Sequence, residues 1–156
     1  MREEKERNMI GLLLTGHDQF ASGLLSAINM VAGSQPFIKA LSFEDHHAAT
    51  YPAELRAAIS SLRTEANGVI VLTDFMGGTP WNQAMIATQD YSDIAVVAGA
   101  NVPMLLNTLE YRESDYTLDD MVEELIAAGK DGVIHRHLSR RRAVEHEDPS
   151  EKGEGI

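Results

Sequence analysis

Short runs of apolar residues alternate with amphipathic stretches along the 156-residue chain. Four runs are apolar enough to form buried strands, which we place at residues 9–15, 37–43, 69–73 and 94–98. Elsewhere apolar residues recur every three or four positions, which predicts helices at residues 20–31, 49–64, 80–89, 101–111 and 118–128. Because strands that alternate with helices build parallel sheets covered by helices, the pattern predicts an α/β fold with a mainly parallel, open sheet.

A different pattern follows the last of these helices. Between Val133 and Leu138, a valine and two histidines fall on one face of an extended chain, and an isoleucine, an arginine and a leucine fall on the other. This alternation is more typical of an edge or antiparallel strand than of a buried parallel one. We therefore expect a final antiparallel strand here, and we expect it to lie at a dimer interface.

The two ends of the chain differ from its middle. Residues 1–8 are mostly charged and predict an N-terminal extension outside the fold, whereas the polar residues 140–156, which begin with three arginines, predict a flexible tail. A single domain remains at residues 9–139, a size at which one core is the rule. No apolar run approaches the ~20 residues of a membrane span, and no secretory signal is evident, so we expect a soluble, cytoplasmic protein.

Charge and cysteine content narrow the possible functions. The formal net charge of −11 would repel a phosphate backbone, so we expect protein or small-molecule partners and no nucleic acid. The absence of cysteine excludes disulfides, thiol nucleophiles and thiolate metal sites. The glycine motifs typical of nucleotide binding are also missing.

Two loops carry residues suited to phosphoryl chemistry, one after the first strand and one after the third. In a parallel sheet both loops lie at the carboxyl edge, where ligands bind. His17 can hold a phosphoryl group on one ring nitrogen if an acceptor such as Asp74 fixes the proton on the other. The backbone N–H groups of Gly77 and Gly78 and the hydroxyl of Thr79 can hold the phosphoryl oxygens at the start of the next helix.

Simpler interpretations of these residues remain open. His17 alone is also compatible with an ordinary hydrogen-bonded loop residue, Asp74 with a carboxylate that accepts local N–H groups, and the Gly-Gly-Thr-Pro sequence with a plain turn into a helix. Trp81 fits either core packing or the docking of a partner.

The other histidines do not predict a metal site. His46 and His47 are adjacent, and we expect neighbouring side chains to point apart. His135 and His137 share a face of the last predicted strand, but the sequence offers no evident third ligand. We therefore expect no metal and no other cofactor.

Three segments, in order, carry a resemblance to a known family. They are TGHDQFASGLL, GVIVLTDFMGGTPWNQA and VVAGANVPMLL, within about residues 9–110. Together they resemble the mannose-family enzyme IIA domains of the bacterial phosphoenolpyruvate-dependent sugar phosphotransferase system. DxxGGTPxN is the most specific part, and the region beyond residue 115 resembles the family more loosely.

The resemblance implies a function and a set of site residues. His17 would accept a phosphoryl group at Nε2 from the histidine-containing phosphocarrier protein and pass it to enzyme IIB, so that the membrane is involved only through the sugar permease. Asp74 would bond the histidine ring, and Gly78 and Thr79 would lie in the loop beside it. The resemblance also implies a homodimer that exchanges its final antiparallel strand.

Two other functions are compatible with the sequence. One is the phosphocarrier subunit of dihydroxyacetone kinase, whose related domain also uses a histidine after its first strand but has a different glycine loop. The other is a binding or regulatory module on the same fold, because a fold does not establish a function. Such a module would tolerate the loss of His17, whereas a phosphocarrier would not.

Overall fold

The computed structural model describes residues 9–138 of the chain. In this part the elements are β1 (Gly11–His17), α1 (Phe20–Ala32), β2 (Ile38–Phe43), a 3-10 turn (Asp45–His47), α2 (Tyr51–Glu65), β3 (Val69–Thr73), α3 (Thr79–Thr88), β4 (Ile94–Ala98), α4 (Val102–Tyr111) and α5 (Leu118–Asp131). Their alternation confirms the α/β class. No helix among the described residues is long and apolar enough to cross a membrane. The expected extension and tail lie outside this part.

The four strands form one parallel sheet in the order β2-β1-β3-β4. The central strands β1 and β3 are buried along almost their whole length, because their side chains are apolar on both faces. Thr15 of β1 pairs with Thr73 of β3, so the two strands end side by side. From β1 the chain moves outward to β2 and then returns to β3 on the other side. Such a reversal opens a crevice at the carboxyl ends of the strands, where ligands bind in parallel sheets.

Helices cover both faces of the sheet. Consecutive residues of a strand point to opposite faces, so the leucine run of β1 supplies both cores. Leu12 and Leu14 belong to the core under α1, α4 and α5, whereas Leu13 packs with residues of α2 and α3. This three-layer arrangement leaves the carboxyl edge of the sheet as a fixed platform for the loops.

Asn101 and Thr117 are the N-caps of α4 and α5. The Asn101 side chain accepts a hydrogen bond from the N–H of Met104 at 3.0 Å. Thr117 and Asp120 form a reciprocal capping box, in which each side chain accepts from the other's backbone N–H at 3.1 Å. These caps satisfy N–H groups that the first turn of a helix leaves without partners.

The structure corrects one strand prediction and leaves another untested. Strand β1 runs to His17 rather than ending at Thr15, because pairing with β2 extends to His17 and Phe43. The segment from Val133 to Leu138 forms no strand within the single described chain, and both of these residues are more than four-fifths exposed, so the exchanged strand stays a prediction. A strand needs a neighbour for its backbone hydrogen bonds, and this segment pairs with none of the described strands of its own chain.

A buried hydrogen bond joins α2 to the end of β1. The Thr15 hydroxyl donates to the Leu41 carbonyl at 2.7 Å and lies 2.6 Å from the Tyr51 hydroxyl. Because Thr15 has one hydroxyl hydrogen, Tyr51 is the donor in the second bond. Burial raises the pKa of the Tyr51 hydroxyl to about 12, so this donor remains protonated at neutral pH.

We predict that Tyr51→Phe lowers the free energy of unfolding by about 1 kcal/mol at pH 7, the usual value of one buried hydrogen bond. The difference should shrink above pH ~10, because the unfolded chain ionises this tyrosine there before the folded protein does. Urea denaturation of the wild type and of Tyr51→Phe at several pH values measures this difference in the free energy of unfolding. Equal stability at pH 7, or a difference that does not change with pH, would contradict this account.

Candidate active site

The candidate site lies where β1 and β3 end. His17 is the last residue of β1, and Asp74 directly follows β3. Because these strands are neighbours in the sheet, their ends bring the two side chains into contact. The histidine side chain is 42% exposed and the aspartate side chain 12% exposed, so the ring faces solvent above a mostly buried carboxylate.

The carboxylate holds both the backbone and the ring of the histidine. Oδ2 of Asp74 lies 2.9 Å from the backbone nitrogen of His17 and 2.6 Å from its Nδ1, while Oδ1 accepts from the N–H of Phe75 at 2.9 Å. A carboxylate only accepts, so Nδ1 carries the hydrogen and a neutral ring keeps its free lone pair on Nε2. Within the described part of the chain, Nε2 makes no hydrogen bond.

Asp74 is ionised at neutral pH despite its burial. Burial alone would raise the pKa of this carboxyl. The backbone N–H and the ring of His17, together with the N–H of Phe75, outweigh that effect and lower the pKa. A fixed negative charge therefore lies against Nδ1, where it stabilises any positive charge that develops on the ring.

Two aromatic rings confine the imidazole. The Phe75 ring stacks on the His17 ring at a centroid distance of 5.0 Å, and the Phe43 ring meets it edge-on at 5.5 Å. Sequence reasoning missed both residues as parts of the site. The signal for Phe75 was its place directly after Asp74, whereas the approach of Phe43 depends on the pairing of β1 with β2.

The glycine loop also approaches the histidine ring. Gly77 has φ of +91°, which favours glycine, and a Cβ on Gly78 would lie only 2.8 Å from Cε1 of His17. Thr79 is exposed and begins α3. The loop therefore brings the positive end of the α3 dipole beside the ring, where it favours anions.

The structure overturns one expectation about the other histidines. His46 and His47 do not point apart, since their ring centroids are 3.9 Å apart and both rings approach Glu44. The 3-10 turn that follows β2 brings them together, and no sequence periodicity predicts such a turn. His135 and His137 are exposed and lie next to each other, and the described residues add no third ligand to this pair.

The surroundings of Trp81 are compatible with both core packing and the docking of a partner. It is half-buried and lies along an apolar groove beside β4, together with Val97 and Ile126. It therefore contributes to the surface of the groove as well as to packing.

Sequence comparison matches this chain to one protein family and to individual members of it. The model of the EIIA-man family, described as "PTS system fructose IIA component", matches residues 11–126. The mannose-specific EIIAB component of Escherichia coli K12 is 32% identical over 125 residues, which cover 80% of this chain and 38% of that protein. This chain thus spans well under half the length of that relative.

Two further proteins match over nearly their whole length. The fructose-specific EIIA component of Bacillus subtilis is 28% identical over 85% of this chain and 91% of its own. The crystal structure of the phosphotransferase system component EIIA from Streptococcus agalactiae superposes with a TM-score of 0.71 at 29% identity, covering 81% of this chain and 97% of that one. The chain belongs to the EIIA-man family, the mannose and fructose type of IIA component in the phosphotransferase system.

Proposed function

We propose that this chain is a phosphohistidine carrier of a mannose-type sugar phosphotransferase system. His17 accepts a phosphoryl group from the histidine-containing phosphocarrier protein and passes it to enzyme IIB, in the cytoplasm, for the uptake and phosphorylation of a sugar. One observation carries the proposal: Asp74 holds Nδ1 of His17 at 2.6 Å and leaves Nε2 open to solvent. Membership of the EIIA-man family supports it independently.

The transfer is a displacement between two histidines. The Nε2 lone pair of His17 forms a bond to phosphorus, while the N–P bond to the donor histidine breaks and its electron pair returns to the donor ring. The hydrogen on Nδ1 stays in place, so the phosphorylated ring gains positive charge, which the Asp74 carboxylate stabilises. Transfer to enzyme IIB is the same step in reverse, with its histidine as the nucleophile.

Gly77, Gly78 and Thr79 form the proposed phosphoryl-binding loop. The close approach of Gly78 to Cε1 of His17 brings the start of α3 within reach of a group on the ring. Backbone N–H groups and the Thr79 hydroxyl would donate to the phosphoryl oxygens. Neither loop contains lysine or arginine, and this suits a carrier that must release the group again.

We also propose that the chain is a homodimer that exchanges residues 133–138. Strand β4 lies at an edge of the sheet and leaves backbone groups unpaired. Beside it, β4, α3 and α5 enclose an apolar groove of about 540 Å³, and Val133 lies at this groove. The alternating segment that follows is exposed in one chain, so a second copy can supply it to the edge as an antiparallel strand.

We predict that His17→Ala abolishes phosphorylation without unfolding the protein. The substitution keeps the backbone N–H that bonds Asp74, and the lost ring is partly exposed. Purified protein is incubated with phosphoenolpyruvate, the first enzyme of the system and its phosphocarrier protein, and mass spectrometry then detects an acid-labile phosphoryl group. His135→Ala, the control, should be phosphorylated normally. Labelling of the His17 variant, or no labelling of the wild type by a charged donor, would contradict the proposal.

We predict that Asp74→Asn slows phosphoryl uptake roughly 100-fold or more. The Asp74 carboxylate accepts hydrogen bonds through both of its oxygens, whereas the side-chain amide of the variant has a single accepting oxygen. The amide NH2 group must therefore face either His17 or Phe75, where it cannot accept. The hydrogen on Nδ1 is then no longer fixed, and the stabilising charge is lost. Rapid-quench kinetics measure the rate, with Asp18→Asn as the matched control because Asp18 is a second carboxylate that lines the same cleft as His17. A wild-type rate for Asp74→Asn would refute this role.

We predict that a variant ending at Gly132 is a monomer, whereas a variant ending at Leu138 is a dimer. The shorter chain lacks the proposed exchanged strand, and the longer one lacks only Ser139 and the predicted tail. Sedimentation velocity distinguishes the two masses. The same oligomeric state for both variants would rule out the proposed strand exchange.

A further inference from the structure

We propose that Glu44, His46 and His47 form a binding site for one divalent transition-metal ion of the zinc class, and two of these residues, Glu44 and His46, line the cleft that contains His17. The three residues lie on the turn that follows β2, and Phe43, the residue before them, contacts the His17 ring. Among the described residues they are the one group of three histidine and acidic side chains whose ligand atoms lie within 4.8 Å of one another.

The local backbone explains why the three side chains converge. Glu44 is extended, and the N–H of His47 then donates to the carbonyl of Glu44 at 2.9 Å, which closes a 3-10 turn. In 3-10 geometry the side chains of residues three apart lie one above the other, so Glu44 and His47 share a face. His46 folds onto the same side, with its ring centroid 3.9 Å from that of His47.

The two distances from the Glu44 carboxylate to the histidine nitrogens fit a small tetrahedral ion, and all three ligand atoms lie within 4.8 Å of one another. Oε2 of Glu44 lies 3.2 Å from Nε2 of His46 and 3.5 Å from Nδ1 of His47. Ligand atoms bound at about 2.0–2.1 Å in a tetrahedron are separated by about 3.4 Å. Two imidazoles and one carboxylate are also the ligand set of many zinc sites that keep a fourth position open.

Charge favours a cation at this place. A lone pair on a neutral imidazole repels a carboxylate oxygen unless a proton or a metal ion lies between them. One divalent ion can take the place of the ring protons that would otherwise face the carboxylate, and it then accepts a lone pair from each of the three groups. The exposed side chains give an ion access from solvent, and the net charge of −11 attracts it.

The position of the site gives it a consequence for phosphorylation. Residues His17, Asp18, Glu44, Asp45 and His46 line one cleft of about 420 Å³. Because His17, Glu44 and His46 line the same cleft, a bound ion and a phosphoryl group on His17 attract each other, and the attraction weakens as salt screens it. Phosphorylation should therefore tighten metal binding, and by linkage the metal should favour the phosphorylated form. This coupling, though not the binding itself, rests on the proposed function.

The test is a titration of the full-length protein, free of any polyhistidine tag, with Zn²⁺ followed by calorimetry and with Co²⁺ followed by visible absorption. We expect one equivalent to bind with the spectrum of a tetrahedral or five-coordinate site. His46→Ala, His47→Ala and Glu44→Gln should each weaken binding tenfold or more, since even outer partners of metal ligands contribute about 10–100-fold. The double variant His135→Ala, His137→Ala is the matched control for a second exposed histidine pair and should bind normally.

The outcomes separate this inference from the proposed function. His17→Ala should still bind the ion, so failure of phosphorylation leaves the metal titration interpretable. No binding to the wild-type protein, or binding that survives all three ligand variants, would overturn the site. Equal affinity in the phosphorylated and unphosphorylated protein would overturn the coupling alone.

Discussion

The parallel pairing of β1 with β3 is the constraint on which the candidate site depends. It sets Thr15 opposite Thr73, so His17 at the end of β1 and Asp74 just after β3 meet at the carboxyl edge of the sheet. His17 and Asp74 are 57 positions apart along the chain, yet their contact needs no loop rearrangement once this register is formed. The fully buried residues of both strands fix the register, because a slip of one position would turn apolar side chains toward the wrong core and misalign the two ends.

One carboxylate performs several tasks at the site. Asp74 anchors the end of β1 through the backbone N–H of His17, orients the imidazole through Nδ1, and supplies negative charge beside the ring. The walls formed by Phe43 and Phe75 limit rotation of the ring, and the Gly78 position allows the start of α3 to approach it. The arrangement holds a ring nitrogen with a free lone pair in place without any fixed cation in the two loops. That combination suits reversible transfer between proteins.

Sequence reasoning predicted the parts that depend on local pattern. The apolar runs indicated all four strands of the sheet, and the order of elements suggested that His17 and Asp74 would share an edge. Sequence reasoning did not predict features that depend on strand pairing or on irregular turns. The extension of β1 to His17 requires its pairing with β2, and the convergence of His46 and His47 requires a 3-10 turn without a hydrophobic period. The alternating residues 133–138 predicted a strand, but a single chain offers that segment no strand to pair with.

We propose that Asp74 directs the phosphoryl group to Nε2 of His17 by holding the hydrogen on Nδ1. Nitrogen-15 NMR of the phosphorylated protein, labelled at its histidine rings, tests this role directly, because the two ring nitrogens and their couplings to phosphorus are distinct. We expect one phosphohistidine with the N–P bond at Nε2 and a protonated Nδ1 bonded to Asp74. A bond to phosphorus at Nδ1 of His17, or a phosphoryl group on a different histidine, would contradict it.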